Sequence, residues 1–258
     1  MKKKVLALAL ALCLCCGAVL MTGCGQDDGK IIMGTNAEFE PFEYKTESGI
    51  VGNFDGLDIA IAQEIAKDMG KELVVEDMDF GSLIGAVSTG KVNFVAAGMT
   101  IKPDRLENAD FSDTYFDAGQ VIIVKKGQTA IKSNEDLKDK KIGVQEGTTG
   151  DEAVSELGGS TEVFRFKKGM DAVLDLNNDK IDAVVIDEMP ARAFVAKNEG
   201  LEILAEPFTV ESYAIAVKKG DTATLEAINK TLKRIKEDGT FDELYKKYID
   251  TYVENFEE

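Results

Sequence analysis

The 258-residue sequence contains no histidine and no tryptophan, and all four of its cysteines lie at or before position 24. The absence of histidine excludes Ser-His-Asp and Cys-His catalysis and histidine-ligated zinc. Only Cys24 would remain after removal of a leader, so thiolate metal sites and internal disulfides are excluded as well. An enzyme built from this chain would have to use carboxylates, lysine, tyrosine or serine, and we expect no cofactor.

The first 24 residues have the pattern of an export signal. Lys2, Lys3 and Lys4 precede an uncharged, largely apolar run over residues 5–22, as in secretory leaders. The run is long enough for a membrane span, so an uncleaved anchor is the alternative. However, it ends in MTGC (21–24), which resembles the bacterial lipoprotein cleavage box, where the cysteine becomes lipidated. We therefore expect a signal peptide over 1–23, a membrane tether at Cys24 and a linker over 24–29.

Acidic residues outnumber basic ones in this sequence. The chain carries 47 acidic and 30 basic residues, and loss of the three leader lysines would leave 27 basic residues and a net charge of −20. A surface of this sign repels phosphate backbones. We therefore expect no nucleic-acid partner.

Short apolar strands alternate with amphipathic helices in two successive blocks. The first block has predicted strands at 30–34, 73–76 and 92–97, with a helix that begins at Gly56 and another over 82–89. The second has strands at 141–145, 162–166 and 181–186, with helices over 148–157 and 170–177. Each block is a β-α-β-α-β unit, which is half of a doubly wound sheet.

The third strands of the two blocks can be aligned with each other. GKVNFVAAGM (90–99) lies against DKIDAVVIDE (179–188), which places Gly98 opposite Asp187. Both residues follow the carboxyl end of an inner strand, where open α/β sheets bind their ligands.

A second internal repeat indicates how the blocks are joined. QVIIVKKGQT (120–129) resembles YAIAVKKGDT (213–222), and the two segments bracket the second block. Chance similarity of two exposed strand ends is the alternative. We predict two lobes joined by two crossing strands, with 30–122 and 213–258 in lobe one and 123–212 in lobe two. Two tail helices, over 225–236 and 241–248, would complete lobe one, and lobes joined in this way can hinge around a cleft.

Six segments resemble the extracytoplasmic solute-binding proteins of ABC-type importers for polar amino acids. They are GTNAEFEPFEY (34–44), GLDIAIAQEIAKDMG (56–70), AAGMTIKPDR (96–105), DFSDTY (110–115), GVQEGTTGDEA (143–153) and IDAVVIDE (181–188). The resemblance implies the α/β periplasmic-binding-protein fold of type II, an amino acid ligand, a transmembrane permease as partner, and a monomer that is not an enzyme. Two departures are Ala60, where the family usually has an acidic residue, and the loop GNFDG (52–56).

The resemblance also assigns roles to residues around the cleft. Arg105 would pair with the α-carboxylate of the ligand through two parallel hydrogen bonds, which lysine cannot make; a surface ion pair is the alternative. Thr100 and Thr149 would add backbone N–H and hydroxyl donors, Thr149 from a helix N-terminus. Asp187 would hold the α-ammonium, together with the carbonyl of Gly98.

The pocket for the ligand's side chain is less sharply defined by the resemblance. Phe39 would stack on the ligand, and Leu57 would form the opposite wall. Asn36 stands where relatives that select basic side chains often have aspartate, and a neutral amide adds no Coulomb attraction. Three assignments stay open: Phe42 is pocket or core, and Glu40 and Asp79 are either acceptors for a cation or solvated.

Two other functions are compatible with such a fold. Some proteins of this fold are dehydratases that use a carboxylate and no metal, and others are ligand-sensing components that act through a separate partner. Dehydratase substrates lack an α-ammonium or are bulky rings, so a paired Arg105 and Asp187 argues against them. The resemblance leaves the identity of the amino acid open.

Overall fold

The computed structural model describes residues 29–257. The expected signal peptide and the expected lipidation site at Cys24 lie outside the described residues. Within residues 29–257, none of the helices combines the length and hydrophobicity that a membrane span needs.

Fifteen strands are present in the described part of the chain, and most of them are short. They are β1 Lys30–Thr35, β2 Glu38–Phe39, β3 Glu43–Lys45, β4 Phe54–Asp55, β5 Glu72–Asp77, β6 Phe94–Val95, β7 Ala109–Phe111, β8 Phe116–Ala118, β9 Gln120–Lys125, β10 Lys141–Gln145, β11 Glu162–Phe166, β12 Ala183–Asp187, β13 Leu201–Ile203, β14 Glu211–Tyr213 and β15 Ala216–Lys218.

The described α-helices flank these strands. They are α1 Leu57–Asp68, α2 Leu83–Thr89, α3 Pro103–Leu106, α4 Thr149–Ser155, α5 Gly169–Asn177, α6 Glu188–Ala196, α7 Thr222–Glu237, α8 Thr240–Tyr245 and α9 Thr251–Glu257. Short 3-10 turns cover Phe80–Ser82 and Asn134–Leu137, and a π-helical turn over Lys246–Asp250 joins α8 to α9.

Two five-stranded sheets form the two lobes, which confirms the expected α/β class. Lobe one has the order β5-β1-β6-β15-β7, and lobe two has the order β11-β10-β12-β9-β13. In each sheet three parallel strands are followed by an antiparallel one, β15 beside β6 in lobe one and β9 beside β12 in lobe two. The antiparallel strand in each sheet comes from a segment that follows a crossing between the lobes.

The crossings themselves are a two-stranded ribbon. β8 and β14 pair antiparallel, with Phe116 opposite Tyr213 and Ala118 opposite Glu211. An isolated bridge joins Thr100 to Tyr213, so the ribbon also contacts the loop after β6. The hinge therefore lies directly beside the ends of the inner strands.

Apolar residues cover both faces of each sheet. In β9, Val121 and Ile123 pack into one core cluster, whereas Ile122 and Val124 pack into another on the opposite face. This division follows from the two-residue period of a strand, and strands covered on both faces read as continuous apolar runs.

The sequence pattern missed some details of these elements. The third strand of lobe one, predicted over 92–97, is regular only at Phe94–Val95, because the chain leaves the ladder before Gly98. Helix α6 was not predicted, and it begins immediately after Asp187. Phe42 is fully buried against the rings of Phe116 and Tyr213, so the structure favours its core assignment.

Candidate functional site

A closed cleft lies between the lobes, at the carboxyl ends of the inner strands. Lobe one contributes Asn36, Phe39, Glu43, Phe80, Ala97, Gly98, Thr100 and Arg105, and lobe two contributes Gln145, Thr148, Thr149 and Asp187. Seven of the eight residues expected to bind ligand are in this set. The eighth, Leu57, is fully buried in the core of lobe one and is absent from the cleft lining. Contact of any of them with a ligand stays a prediction.

Arg105 is a buried cation that contacts both lobes. Pro103 begins helix α3 and places Arg105 in its only full turn, with 5% of the residue exposed. The guanidinium donates to the carbonyl of Thr100 at 2.7 Å and, across the cleft, to that of Gly147 at 3.0 Å, and it lies over the ring of Phe80. Burial lowers the pKa of Arg105, but an arginine stays charged in proteins. A guanidinium has five donors, so donors remain for an anion.

Asp187 is a buried carboxylate at the end of β12. Its Oδ1 accepts a hydrogen bond from the hydroxyl of Tyr213, and its Oδ2 accepts one from the amide of Gln120 at 2.8 Å. Burial and, to a lesser extent, the charge of Glu211 raise the pKa of Asp187 to about 7, although the hydrogen bonds from Tyr213 and Gln120 lower it. A cation in the cleft would favour the ionised form.

Gly98 is a position that only glycine suits. Its φ is +53°, and a Cβ there would come within 2.7 Å of the ring of Phe39. Its N–H donates to Asp58 at 2.9 Å. Asp58 also accepts from the hydroxyl of Tyr115 at 2.8 Å, and burial raises its pKa to about 6. Asp58 was not among the expected site residues, although it lies in the family-like segment 56–70.

Glu43 is a second carboxyl group that sequence reasoning missed. It lines the cleft although only 1% of it is exposed, and its Oε2 has no hydrogen-bond partner among the described residues. Burial, followed by the neighbouring Asp58, raises its pKa well above the usual range. This shift favours the protonated form of Glu43, which would also reduce its repulsion with Asp58. Its position in PFEY, inside a family-like segment, was the available signal.

Direct contacts between the lobes surround the cleft. Gln145 donates to Asn36 at 2.8 Å in a buried hydrogen bond, which joins the expected side-chain pocket to lobe two. Ion pairs line the rim: Lys168 with Glu38, Lys167 with Asp79, Lys197 with Glu40 and Lys102 with Glu152. Glu40 and Asp79 therefore lie at the solvated rim, and neither lines the cleft.

Comparisons with known proteins identify the family. The sequence profile of the bacterial extracellular solute-binding proteins, family 3, matches residues 31–251. The chain is 35% identical to a probable histidine-binding protein of Neisseria gonorrhoeae, with 96% of each chain covered. It is 34% identical to the arginine-binding extracellular protein ArtP of Bacillus subtilis (strain 168), over 96% of this chain and 98% of that one.

Solved structures have the same fold. A mutant of ArgBP from T. maritima superimposes with a TM-score of 0.81 and 44% identity, over 86% of this chain and 96% of that chain. The relatives named here are binding proteins and not enzymes. The resemblance seen in the sequence is thereby confirmed, and the protein is extracytoplasmic. The chain belongs to the bacterial extracellular solute-binding proteins, family 3.

Proposed function

We propose that the protein captures a polar amino acid in the cleft and delivers it to the permease of an ABC-type importer, while lipidated Cys24 holds it at the cell membrane. The observation that carries this proposal is the pair of buried, opposite charges on the cleft wall, Arg105 from lobe one and Asp187 from lobe two. An amino acid carries one carboxylate and one ammonium on the same carbon. Such a zwitterion would satisfy both groups at once and hold the lobes together.

The carboxylate of the amino acid would bind the free donors of Arg105. Its ammonium would bind Asp187 and the carbonyl of Gly98, and Phe39 would stack on its aliphatic part. Its side chain would then extend toward Asn36 and the neighbouring residues Gln145 and Thr148, which line the same cleft. These three side chains are uncharged hydrogen-bonding groups, which supports a polar side chain on the ligand.

The named relatives support an amino acid ligand but differ in which one they bind. One is described as a probable histidine-binding protein and another as arginine-binding. Histidine and arginine share the α-carboxylate and α-ammonium of every amino acid, which are the groups that Arg105 and Asp187 would recognise. We therefore place the shared recognition in this charged pair and the selectivity in the uncharged part of the cleft.

A calorimetric screen tests the proposal. Purified protein is titrated with each standard L-amino acid, and the best binder is compared with its carboxamide and its N-acetyl derivative. We expect both derivatives to bind at least a hundredfold more weakly, because each removes one of the two charges. Binding of no amino acid, or equal binding of the derivatives, would refute the proposal. Calorimetry suits this chain because it has no tryptophan for intrinsic fluorescence.

A further inference from the structure

Glu211 connects the two lobes at the point where the carboxylate of an amino acid is expected. It lies on β14, the second crossing strand, and it is half-buried. Its Oε2 accepts hydrogen bonds from the hydroxyls of Thr100 in lobe one, at 2.6 Å, and Thr149 in lobe two, at 2.8 Å. A single carboxylate oxygen thus joins one threonine of each lobe.

Further hydrogen bonds tie Glu211 to both crossings. Its Oε1 accepts from the hydroxyl of Thr209 at 2.6 Å, and Thr209 accepts in turn from the backbone N–H of Gln120 at 3.1 Å. The amide of Gln120 also donates to Thr149 at 3.2 Å. Each oxygen of Glu211 is therefore used, and the network includes a residue from each side of the hinge.

This arrangement determines the group to which each of the two threonine hydroxyls donates its hydrogen. A hydroxyl has one hydrogen to donate, and both Thr100 and Thr149 donate it to Glu211. Neither hydroxyl can then donate to a ligand, which differs from the role that the sequence suggested. Of the three residues expected to bind the carboxylate, Arg105 alone keeps side-chain donors for it.

We propose that Glu211 is a positioning residue of the carboxylate subsite. By holding Thr100 and Thr149 together, it aligns the main chain that carries them with Arg105, which already contacts Gly147 across the cleft. The subsite is thereby assembled only when the lobes close. The identity of the ligand in this proposal rests on the proposed function, whereas the lobe-joining contact does not.

The negative charge of Glu211 and its positioning role would have opposite effects on ligand binding. A carboxylate beside the subsite repels the carboxylate of a ligand, so removal of Glu211 would tighten binding if its field were the dominant effect. If positioning dominates, the same change weakens binding. The sign of the effect therefore separates the two explanations.

The test uses acid and amide pairs as probes: L-arginine with L-argininamide, L-glutamine with L-glutaminamide, and L-histidine with L-histidinamide. Wild type, Glu211→Ala and Glu211→Gln are titrated with the pair whose acid binds wild type best. Glu206→Ala is the control, because this nearby glutamate is exposed. For Glu211→Ala we expect a loss of about tenfold for the acid and less than about threefold for the amide. Glu211→Gln keeps one acceptor oxygen, so its affinity for the acid should lie between those of wild type and Glu211→Ala.

Equal losses for acid and amide would overturn the proposal, since a purely structural defect affects both probes alike. Tighter binding of the acid would also overturn it, in favour of the charge effect. If none of these three acids binds wild type, the screen of all standard L-amino acids decides on the proposed function, and small-angle scattering of ligand-free protein tests the role of Glu211. A larger radius of gyration for Glu211→Ala than for wild type and Glu206→Ala would support the lobe-joining contact. An unchanged radius would refute it.

Discussion

Tyr213 donates its hydroxyl hydrogen to Asp187, so a strand of the hinge directly holds the carboxylate expected to bind the ligand's ammonium. Tyr213 lies on β14, two residues after Glu211, and residues at this spacing share a face of a strand. The hinge ribbon therefore contacts both charged ends of the proposed amino acid site.

We expect Tyr213→Phe to weaken amino acid binding about tenfold at pH 7 and less at pH 9. The hydrogen bond from Tyr213 lowers the pKa of Asp187, so its loss leaves more of the carboxyl group protonated at neutral pH. Calorimetry at both pH values measures the difference. Tyr44→Phe, at a tyrosine outside the cleft lining, is the matched control. An equal loss at the two pH values would contradict this explanation.

Arg105→Ala and Asp187→Ala should each reduce affinity by roughly 150- to 4,000-fold. Removal of one partner from a buried ion pair costs about 3–5 kcal/mol, because the other charge is stranded. Arg105→Lys should restore only part of the affinity, since an ammonium lacks the planar pair of donors. Calorimetry on the three variants, with circular dichroism to check folding, tests this. Binding of Arg105→Ala within tenfold of wild type would place the carboxylate anchor elsewhere.

Affinity should rise with pH between pH 5 and pH 7 and then level off. The ammonium needs an ionised Asp187, and burial raises the pKa of that group to about 7. Below pH 7 the affinity should fall by up to about tenfold per pH unit. Titrations across this range check the slope. A flat profile would show that Asp187 is ionised throughout or does not bind the ammonium.

Ionisation of Asp187 should favour ligand binding but lower the stability of the ligand-free protein. The pKa of Asp187 is higher in the folded than in the unfolded protein. Its stabilising contribution to the free energy of unfolding is therefore fully present below about pH 4 and is lost as the pH rises through 7. Asp187→Asn should therefore raise the melting temperature of ligand-free protein at pH 8 and change it little at pH 4. Differential scanning calorimetry at both pH values provides the test. A lower melting temperature at pH 8 would be inconsistent with a costly buried carboxylate.

Gly98→Ala should destabilise the protein and abolish binding. The substitution adds a Cβ at a φ of +53° and places it 2.7 Å from the ring of Phe39. Gly70→Ala is the control, because its φ is +65° but no atom lies within 4 Å of the added Cβ. We expect Gly70→Ala to cost about 1–2 kcal/mol through the backbone alone and to leave affinity unchanged. Equal affinity in the two variants would show that crowding at Phe39 has no effect on the cleft.

The tether can be tested separately from the cleft. Cys24→Ser should leave binding intact and release the protein from membranes, since the acyl chains would have no attachment point. Fractionation of cells followed by a high-salt wash measures the distribution. Retention of the variant in the membrane fraction would refute lipidation as the anchor.

Much of the fold could be predicted because its signals are local. The apolar runs and four-residue periods that define α1, β10 and β12 depend on neighbours along the chain, and the rule that ligands bind at carboxyl strand ends placed Gly98 and Asp187 at one cleft. The role expected for Arg105 came from the resemblance to the family, carried by the segment 96–105. These residues line the cleft in the structure.

The tertiary structure alone decided how the site is supported. Glu211 bonds to residues 111 and 62 positions away, and Tyr213 bonds to one 26 positions away, so no periodicity along the chain connects them. Burial, which sets the pKa of Glu43, Asp58 and Asp187, depends on packing between lobes and helices. Leu57 shows the converse: the resemblance assigned it to the wall of the pocket, but helix α1 turns its side chain into the core of lobe one. Local sequence determined which residues lie near the cleft, whereas long-range packing determined their partners, their charge and the direction of their hydrogen bonds.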